Sequence, residues 1–448
     1  MASIRREEAS QLWGADNPWG TFPAVSVGWR LTEENFMKNQ TLFNDIKLRA
    51  GYGITGSQPS DLFKAVGVLN YASTGYVYSN GDWIRTLVPA SNPNPHLKWE
   101  EKRETDIGVD FSMLNSRISG SVDFYNRQIH DLLFLYGVPS PPNLYNLTLA
   151  NVGVMENKGL EVMLNFVPVK NNDITWNTSV GFSTNSNKLV KLSNDIYQQT
   201  SDYLRVGAIF PPIQTFSHLL RIGGPVGDFY GYKVIDIGND KTGDPANYGQ
   251  WVYEGADGQP VKYTDFGHSF EDKKVIGNGI PKFHLSWTNT VNYKNWDLSI
   301  SQRGAFKFQV ANLQRMMWEN PTYIQYNVLK TAFDPIFGKT QLKSPLEFNS
   351  YYIENGDYWK IDNITVGYNF NHIKVKYLKS ARIYASVLNA FIITGYKGID
   401  PEVSLRNPTS YAQAGVVQTP TSGLDPGMDS PWKYPTTRTF TFGLNVTF

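Results

Sequence analysis

Residues 434–448 read YPTTRTFTFGLNVTF, and from Phe440 onward every even position is apolar: Phe440, Phe442, Leu444, Val446 and Phe448. The odd positions Thr439, Thr441, Asn445 and Thr447 are polar, with Gly443 among them. A period of two is that of a strand, whose side chains alternate between two faces, so one face here is hydrocarbon and the other hydroxyl and amide. A sandwich strand in water alternates in the same way. A membrane wall is distinguished by recurrence, because a transmembrane barrel repeats tilted strands of about 9–11 residues between polar excursions.

The pattern recurs along the chain. Residues 22–31 set Val25, Val27, Trp29 and Leu31 against Ser26, Gly28 and Arg30, and residues 42–55 set Ile46, Leu48, Ala50, Tyr52 and Ile54 against Lys47, Arg49 and Gly51. Further runs fall at 99–113, 116–130, 159–168, 173–187, 282–294, 296–310, 358–370 and 380–394. Short connections near 32–41, 114–116, 169–172, 294–295 and 371–379 alternate with long ones at 56–98, 131–152, 188–281, 311–356 and 395–434. Short turns on one side and long loops on the other are the habit of outer-membrane barrels.

The alternation also places residues 228–236, DFYGYKVID, which look like a strand. Counting them as a crossing would put successive long loops on opposite sides, so they belong to a hairpin within an outer loop. Residues 3–13 supply part of one more strand. The expected fold is all-β, a transmembrane antiparallel β-barrel portion of about 11–12 strands with long extracellular loops and a periplasmic C-terminus. An open sheet in lipid leaves backbone groups unpaired at several kcal/mol each, so the barrel has to be closed by chain outside this sequence.

Composition agrees. Aromatic residues make up 14% of the 448, as suits a barrel with aromatic girdles. The 41 basic and 40 acidic residues nearly cancel, which gives a nucleic-acid partner no support. No apolar run is long enough for a transmembrane helix, and a mean hydropathy of -0.36 suits strands with one wet face. Cysteine is absent, removing disulfides, thiolate metal sites and cysteine nucleophiles together. The opening MASIRREEASQLWGADNPWG has charges where a signal peptide needs an apolar core, so Met1 is expected not to be the protein's true start.

No constellation points to catalysis. His96, His130, His218, His268, His284 and His372 are scattered, without metal-ligand spacing, and neither a nucleophile elbow nor a phosphate loop occurs. The expectation is no enzyme activity, no metal and no cofactor. Long-loop aromatics with polar neighbours carry more information: Trp83 with Asp82 and Arg85, Trp251 with Tyr253, and Trp318 with Asn320, Tyr323 and Tyr326. Flat rings beside placed hydrogen-bonding groups are what a sugar or peptide site uses, so these are the candidate substrate contacts; the bland reading is that they fill loop cores or meet a lid. Trp19, Trp29, Trp99, Trp176, Trp296 and Trp359 lie near strand ends and read as interfacial girdle residues.

Several segments, in one order along nearly the whole chain, resemble the SusC/RagA-like TonB-dependent transporters. They are RREEASQLWGADNPWGTFPAVSVGWRLTEENF with IKLRAGYGITGSQ, NPHLKWEEKRETDIGVDFSML, NVGVMENKGLEVMLNF, GDFYGYKVID, NGDYWKIDNITVGYNF and the terminal TRTFTFGLNVTF. The resemblance implies the C-terminal half of a roughly 22-stranded barrel, with the plug domain and N-terminal barrel half absent from residues 1–448. It also implies outer-membrane import of glycans or oligopeptides, a SusD-like lid lipoprotein, and energy delivered by TonB through the plug. The last strand, Phe440 to Phe448, resembles the family's assembly signal. One departure is that an Asp- and Gly-rich segment common in the family is reduced here to Asp257 and Gly258, followed by Asp265, Glu271 and Asp272, which reads as a polar turn.

The alternative from another class is a soluble or surface-attached all-β glycan-binding protein such as a propeller or sandwich assembly. Propeller blades recur at about 40–50 residues with a common motif, and the irregular spacing here argues against them.

Overall fold

The computed structural model describes residues 1–448 apart from 61, 81, 194–201, 210, 211, 324, 326, 371–377 and 404–422. Its body is one antiparallel sheet of 12 strands in strict chain order. These are β1 (Ala2–Glu8), β2 (Trp19–Arg30), β3 (Phe43–Ser57), β4 (Glu100–Met113), β5 (Ile118–Gly137) and β6 (Leu147–Lys170). They continue as β7 (Ile174–Lys191), β8 (Phe283–Tyr293), β9 (Trp296–Phe306), β10 (Tyr358–Phe370), β11 (Ser380–Thr394) and β12 (Thr439–Thr447). The expected twelfth strand is β1, paired with β2 from Ala2 opposite Val25 to Glu8 opposite Trp19. A single meander with neighbours in sequence order contains no blade repeat, which removes the propeller.

Register turns the alternation of each strand into a belt. Phe442 lies opposite Ala385, Ala385 opposite Val366, Val366 opposite Leu298, Leu298 opposite Val291, and Val291 opposite Trp176. Directly opposed residues share a face, so these apolar side chains form one continuous band, which a one-residue slip in any strand would turn inward. Phe440, Phe442 and Leu444 are 63%, 81% and 63% exposed, and Val27, Ile107 and Trp296 are also open. A band this wide in water would drive aggregation; against lipid it is the outer wall.

The opposite face is polar and paired. Arg49 holds Asp110 through two hydrogen bonds of 2.7 and 2.9 Å and reaches Asp123 at 2.6 Å. Arg382 grips Asp297 at 2.9 and 2.5 Å. Two-pronged guanidinium-carboxylate contacts fix both partners, so this face is a rigid inner lining. On it Tyr384 covers Gly443 of β12, where a Cβ would collide with the ring. A tyrosine lying across a bare glycine is a cross-strand pair that pins register.

The short turns at 114–117, 171–173 and 294–295 stand where the spacing expects them; the one expected at 371–379 lies largely outside the described residues. Trp176, Tyr293, Trp296 and Tyr368 cluster at this end as a girdle, with the Trp296 and Tyr368 rings 4.9 Å apart, and Trp29 stands at the same end of β2 opposite Leu48. Trp99 departs from its expected girdle role. It is buried against Phe22, and its Nε1 donates to Pro18 O at 2.9 Å, so it closes a small core at the other end.

Two boundaries need correction. The long loop expected at 131–152 is mostly strand, since β5 and β6 run 20 and 24 residues and leave only 138–146 between them. At about 3.3 Å per residue, 24 residues reach roughly 80 Å, so this hairpin rises far beyond a hydrocarbon core of about 30 Å even when tilted. The segment 228–236 lies outside the wall as expected but is two strands in different sheets, Asp228–Gly231 and Val234–Ile237.

Candidate functional site

Three long connections, 192–282, 307–357 and 395–438, fold together on the long-loop side of the wall. Apolar residues from all three meet in one core that includes Phe229, Trp251, Tyr253, Met316, Tyr352 and Met428. Backbone pairing ties them as well: Gln309–Asn312 pairs antiparallel with Ile353–Asn355 and parallel with Met428–Asp429. Side chains complete the joins. Ser344 Oγ accepts from Trp251 N at 2.9 Å, and Ser350 Oγ accepts from Val234 N at 2.9 Å.

The candidate contacts therefore divide. Trp251 and Tyr253 are 1% and 0% exposed, and Tyr253 stacks on Phe266 with ring centroids 4.2 Å apart. Rings with no open face cannot lie against a sugar or peptide, so the expected ligand role for these two is corrected to holding the loops together. Asn320 is likewise buried; its amide donates to Ser344 O at 3.0 Å while its carbonyl accepts from Thr322 N at 2.9 Å. Trp318 and Tyr323 are half-buried and pack on the same core, and Tyr326 lies outside the described residues.

Trp83 behaves differently. With Asp82 and Arg85 it sits on a separate hairpin, Leu69–Ser79 paired with Asp82–Pro89, and is 70% exposed. Its ring meets that of Tyr78 at 5.2 Å, and the Arg85 guanidinium lies 5.7 Å from the Tyr71 ring. Of the sequence candidates among the described residues this group is the one laid open to a ligand or partner. The candidates are thus not one pocket: the hairpin and the co-folded loops are separate.

Charge networks that the sequence pattern did not signal brace the mouth. Arg315, in the one-turn helix Leu313–Trp318, is buried between Glu319 at 2.6 Å and Glu354 at 2.5 Å. Burial opposes its charge, but the two carboxylates hold its pKa above the ordinary value. Where the last loop meets the wall, Glu402 accepts from Arg303 at 2.5 and 2.8 Å and from Lys360 at 3.0 Å. Burial pushes the Glu402 carboxyl up, yet the two cations outweigh it and keep it below the usual range. Arg315 and Glu319 are four residues apart, but Glu354 is 39 from Arg315 and Glu402 is 99 from Arg303, so neither network could be assembled from local spacing.

Among the described residues one serine and histidine are in contact, Ser217 Oγ and His218 Nδ1 at 2.7 Å. His218 Nε2 donates to Pro426 O at 2.9 Å, and both side chains are fully buried. No carboxylate orients the ring and no solvent reaches the hydroxyl, so this pair packs a core rather than attacking a substrate. Burial depresses His218 to about 4. Below the mouth, Asp123, Glu161, Ser183, His284 and Arg303 line a recess of about 560 Å³ on the inner face.

A lipid-facing belt, an ion-paired lining and loops folded over one rim agree with the comparisons to known proteins. The family model described as TonB dependent receptor-like, beta-barrel matches residues 2–390. The TonB-dependent receptor SusC of Bacteroides thetaiotaomicron is 31% identical over 99% of this chain and 41% of its own length. TonB-dependent receptor P3 of Formosa agariphila is 29% identical over 99% of this chain and 43% of its own. In fold, the RagAB peptide importer in its closed-closed state superposes over the whole chain with a TM-score of 0.79 at 21% identity, covering 45% of that chain. The chain spans less than half the length of the relatives it matches. The family's members are receptors and transporters, not enzymes, and with its wall strands in the matched order this chain belongs to the TonB-dependent receptor family, as part of its SusC/RagA-like β-barrel.

Proposed function

We propose that this chain forms wall and outer mouth in an outer-membrane importer of large nutrients, glycans or oligopeptides, whose remaining chain supplies the plug and the other barrel half. A SusD-like surface lipoprotein closes over the mouth, and TonB drives the plug from the periplasmic side. The observation that carries this reading is the opposition of faces on one sheet. Phe442, Ala385, Val366 and Leu298 run outward in a row, while Arg49, Asp110, Arg382 and Asp297 pair inward. Such a sheet separates lipid from a polar lumen. The co-folded loops supply a rigid rim for a lid to meet, and the RagAB peptide importer, similar in fold, supports a peptide cargo alongside glycans.

The test is to isolate the full-length protein from native outer membranes in mild detergent, identify what purifies with it, and compare uptake of labelled oligosaccharides and peptides by wild-type cells and cells lacking the gene. Co-purification of a lipoprotein and loss of uptake of one oligomer class are expected. Recovery in the soluble fraction, or unchanged uptake of both classes, would sink the reading.

A further inference from the structure

The outer wall is not evenly filled. In the outward row that runs from Phe442 through Ala385, Val366, Leu298 and Val291 to Trp176, Ala385 is the one small side chain of the six. The next row toward the short turns sets Leu444 opposite Ile383, Ile383 opposite Tyr368, and Tyr368 opposite Trp296. A methyl group among aromatic and branched neighbours leaves a hollow, and the result is an open apolar groove of about 750 Å³ across β9 to β12. Sites that hold small ligands span about 300–1,000 Å³. Trp296 and Tyr368 stand at its short-turn end, where girdle residues mark the edge of the hydrocarbon.

That end is cationic. Lys294 takes the tight turn between β8 and β9, and its Nζ lies 5.5 Å from the ring of Tyr293, which pairs with Trp296. Lys379 is exposed two residues before Ala381, which faces outward opposite Val446. Its backbone N–H donates to Thr447 O at 2.8 Å, so the approach to β11 is fixed against the end of β12. Two strand spacings, about 10 Å, divide β9 from β11, a gap that two lysine side chains reach across. Residues 370–381 read FNHIKVKYLKSA, with three lysines and no carboxylate. Asp297, next to Trp296, turns inward to Arg382, and Asp173 meets Lys294 through its backbone carbonyl at 2.7 Å. Neither acid neutralises the corner.

We infer that this groove is a site for an anionic phospholipid of the periplasmic leaflet, with one acyl chain lying over Ala385 and the headgroup phosphate within reach of Lys294 and Lys379. An apolar trough that opens onto cations at the membrane edge matches a molecule with a hydrocarbon tail and a charged head in the same direction. Lysine suits the position, because its stem lies along apolar surface while the ammonium stays among headgroups, and its contact with a phosphate is charge-assisted. A lipid of the outer leaflet would enter from the opposite, long-loop end. A second copy docked here about a two-fold axis would bring the lysines against their own counterparts. The site rests on the outer-membrane reading above and adds a selected lipid beside the strands that end the sheet.

The test uses the full-length protein purified with its native partners and stripped of lipid in detergent. Phosphatidylglycerol and phosphatidylcholine with identical chains are added in turn, and the lipid retained per protein is read by native mass spectrometry. The expected result is half-saturation by phosphatidylglycerol at about tenfold lower concentration, as two lysines beside an anionic headgroup give. Lys294→Gln with Lys379→Gln removes that difference, and Lys294→Arg with Lys379→Arg keeps it. Ala385→Phe fills the groove and lowers retention of both lipids, with heat-modifiability showing that the barrel has formed. Equal retention of the two lipids by the wild type, a preference that survives the glutamine pair, or unchanged retention in Ala385→Phe overturns the site. A dimer that Ala385→Phe splits also overturns it and gives the groove to a second copy. Outer-membrane recovery with normal uptake but no lipid selectivity removes this site and keeps the importer, and selective lipid retention without uptake of either oligomer class does the reverse.

Discussion

The Tyr253 hydroxyl donates to Glu347 Oε2 at 2.6 Å, joining loops 94 residues apart, and His268 Nδ1 meets Glu347 Oε1 at 3.1 Å. The Glu347 contact raises the His268 pKa against the opposing effect of burial. One carboxylate therefore fastens two aromatic neighbours on a loop to which it does not belong. Removing it leaves a buried hydroxyl unpaired, at a cost of about 1–3 kcal/mol. Glu347→Ala is expected to expose residues 307–357 to protease while strand content stays unchanged. Equal protease resistance in the mutant and wild type would mean the loops are held elsewhere.

Acid should loosen the same assembly through His218. Its folded pKa of about 4 lies below the ordinary 6.5, so the stability it lends is present above about 6.5 and is lost as pH falls toward 4. The difference of about 2.5 pH units corresponds to about 3 kcal/mol at full protonation. His268, with its raised pKa, acts in the opposite sense: its contribution is present below its unfolded pKa and fades as pH rises through the folded one. Loop proteolysis followed from pH 7 to 4 is expected to accelerate in the wild type and to lose most of that dependence in His218→Asn. Parallel profiles would exclude His218 as the source.

Substitutions of the loop aromatics should separate by exposure. Trp251→Ala empties part of the core at a cost of about 3–5 kcal/mol and is expected to unfold the loop assembly, so any loss of capture there reports structure. Trp83→Ala removes an exposed ring and is expected to weaken substrate or lid binding with loop proteolysis unchanged. Trp318→Ala is expected to fall between, weakening capture while leaving the barrel assembled. Normal uptake in the Trp83 and Trp318 variants would take both off the contact surface.

The final strand should control yield. Deleting Phe448, or replacing Gly443 with Val so that a branched side chain meets Tyr384, is expected to lower the amount of heat-modifiable protein in the outer membrane several-fold. Wild-type levels in both would show that β12 contributes neither a signal nor a pinned register.

The wall was legible in the sequence because period-two alternation is local. Phe440 to Phe448 declares its face without knowledge of any neighbour, and the alternation of short and long connections orders the strands. The mouth was legible only in part. An exposed Trp83 and a buried Trp251 sit in similar polar surroundings of sequence, and what separates them is Ser344, Tyr351 and Tyr352 brought in from elsewhere.

The parallel pairing of Ala311 with Met428 sets a schedule for the molecule's making. Neighbouring wall strands close over short spans, but Ala311 cannot find its partner until chain more than a hundred residues later has been delivered, and His218 waits still longer for Pro426. Contacts of such separation pay their loop-closure entropy before any return, so they form late. The rim is accordingly completed after the sheet beneath it, and a barrel whose last strands have not docked has a wall but no finished mouth.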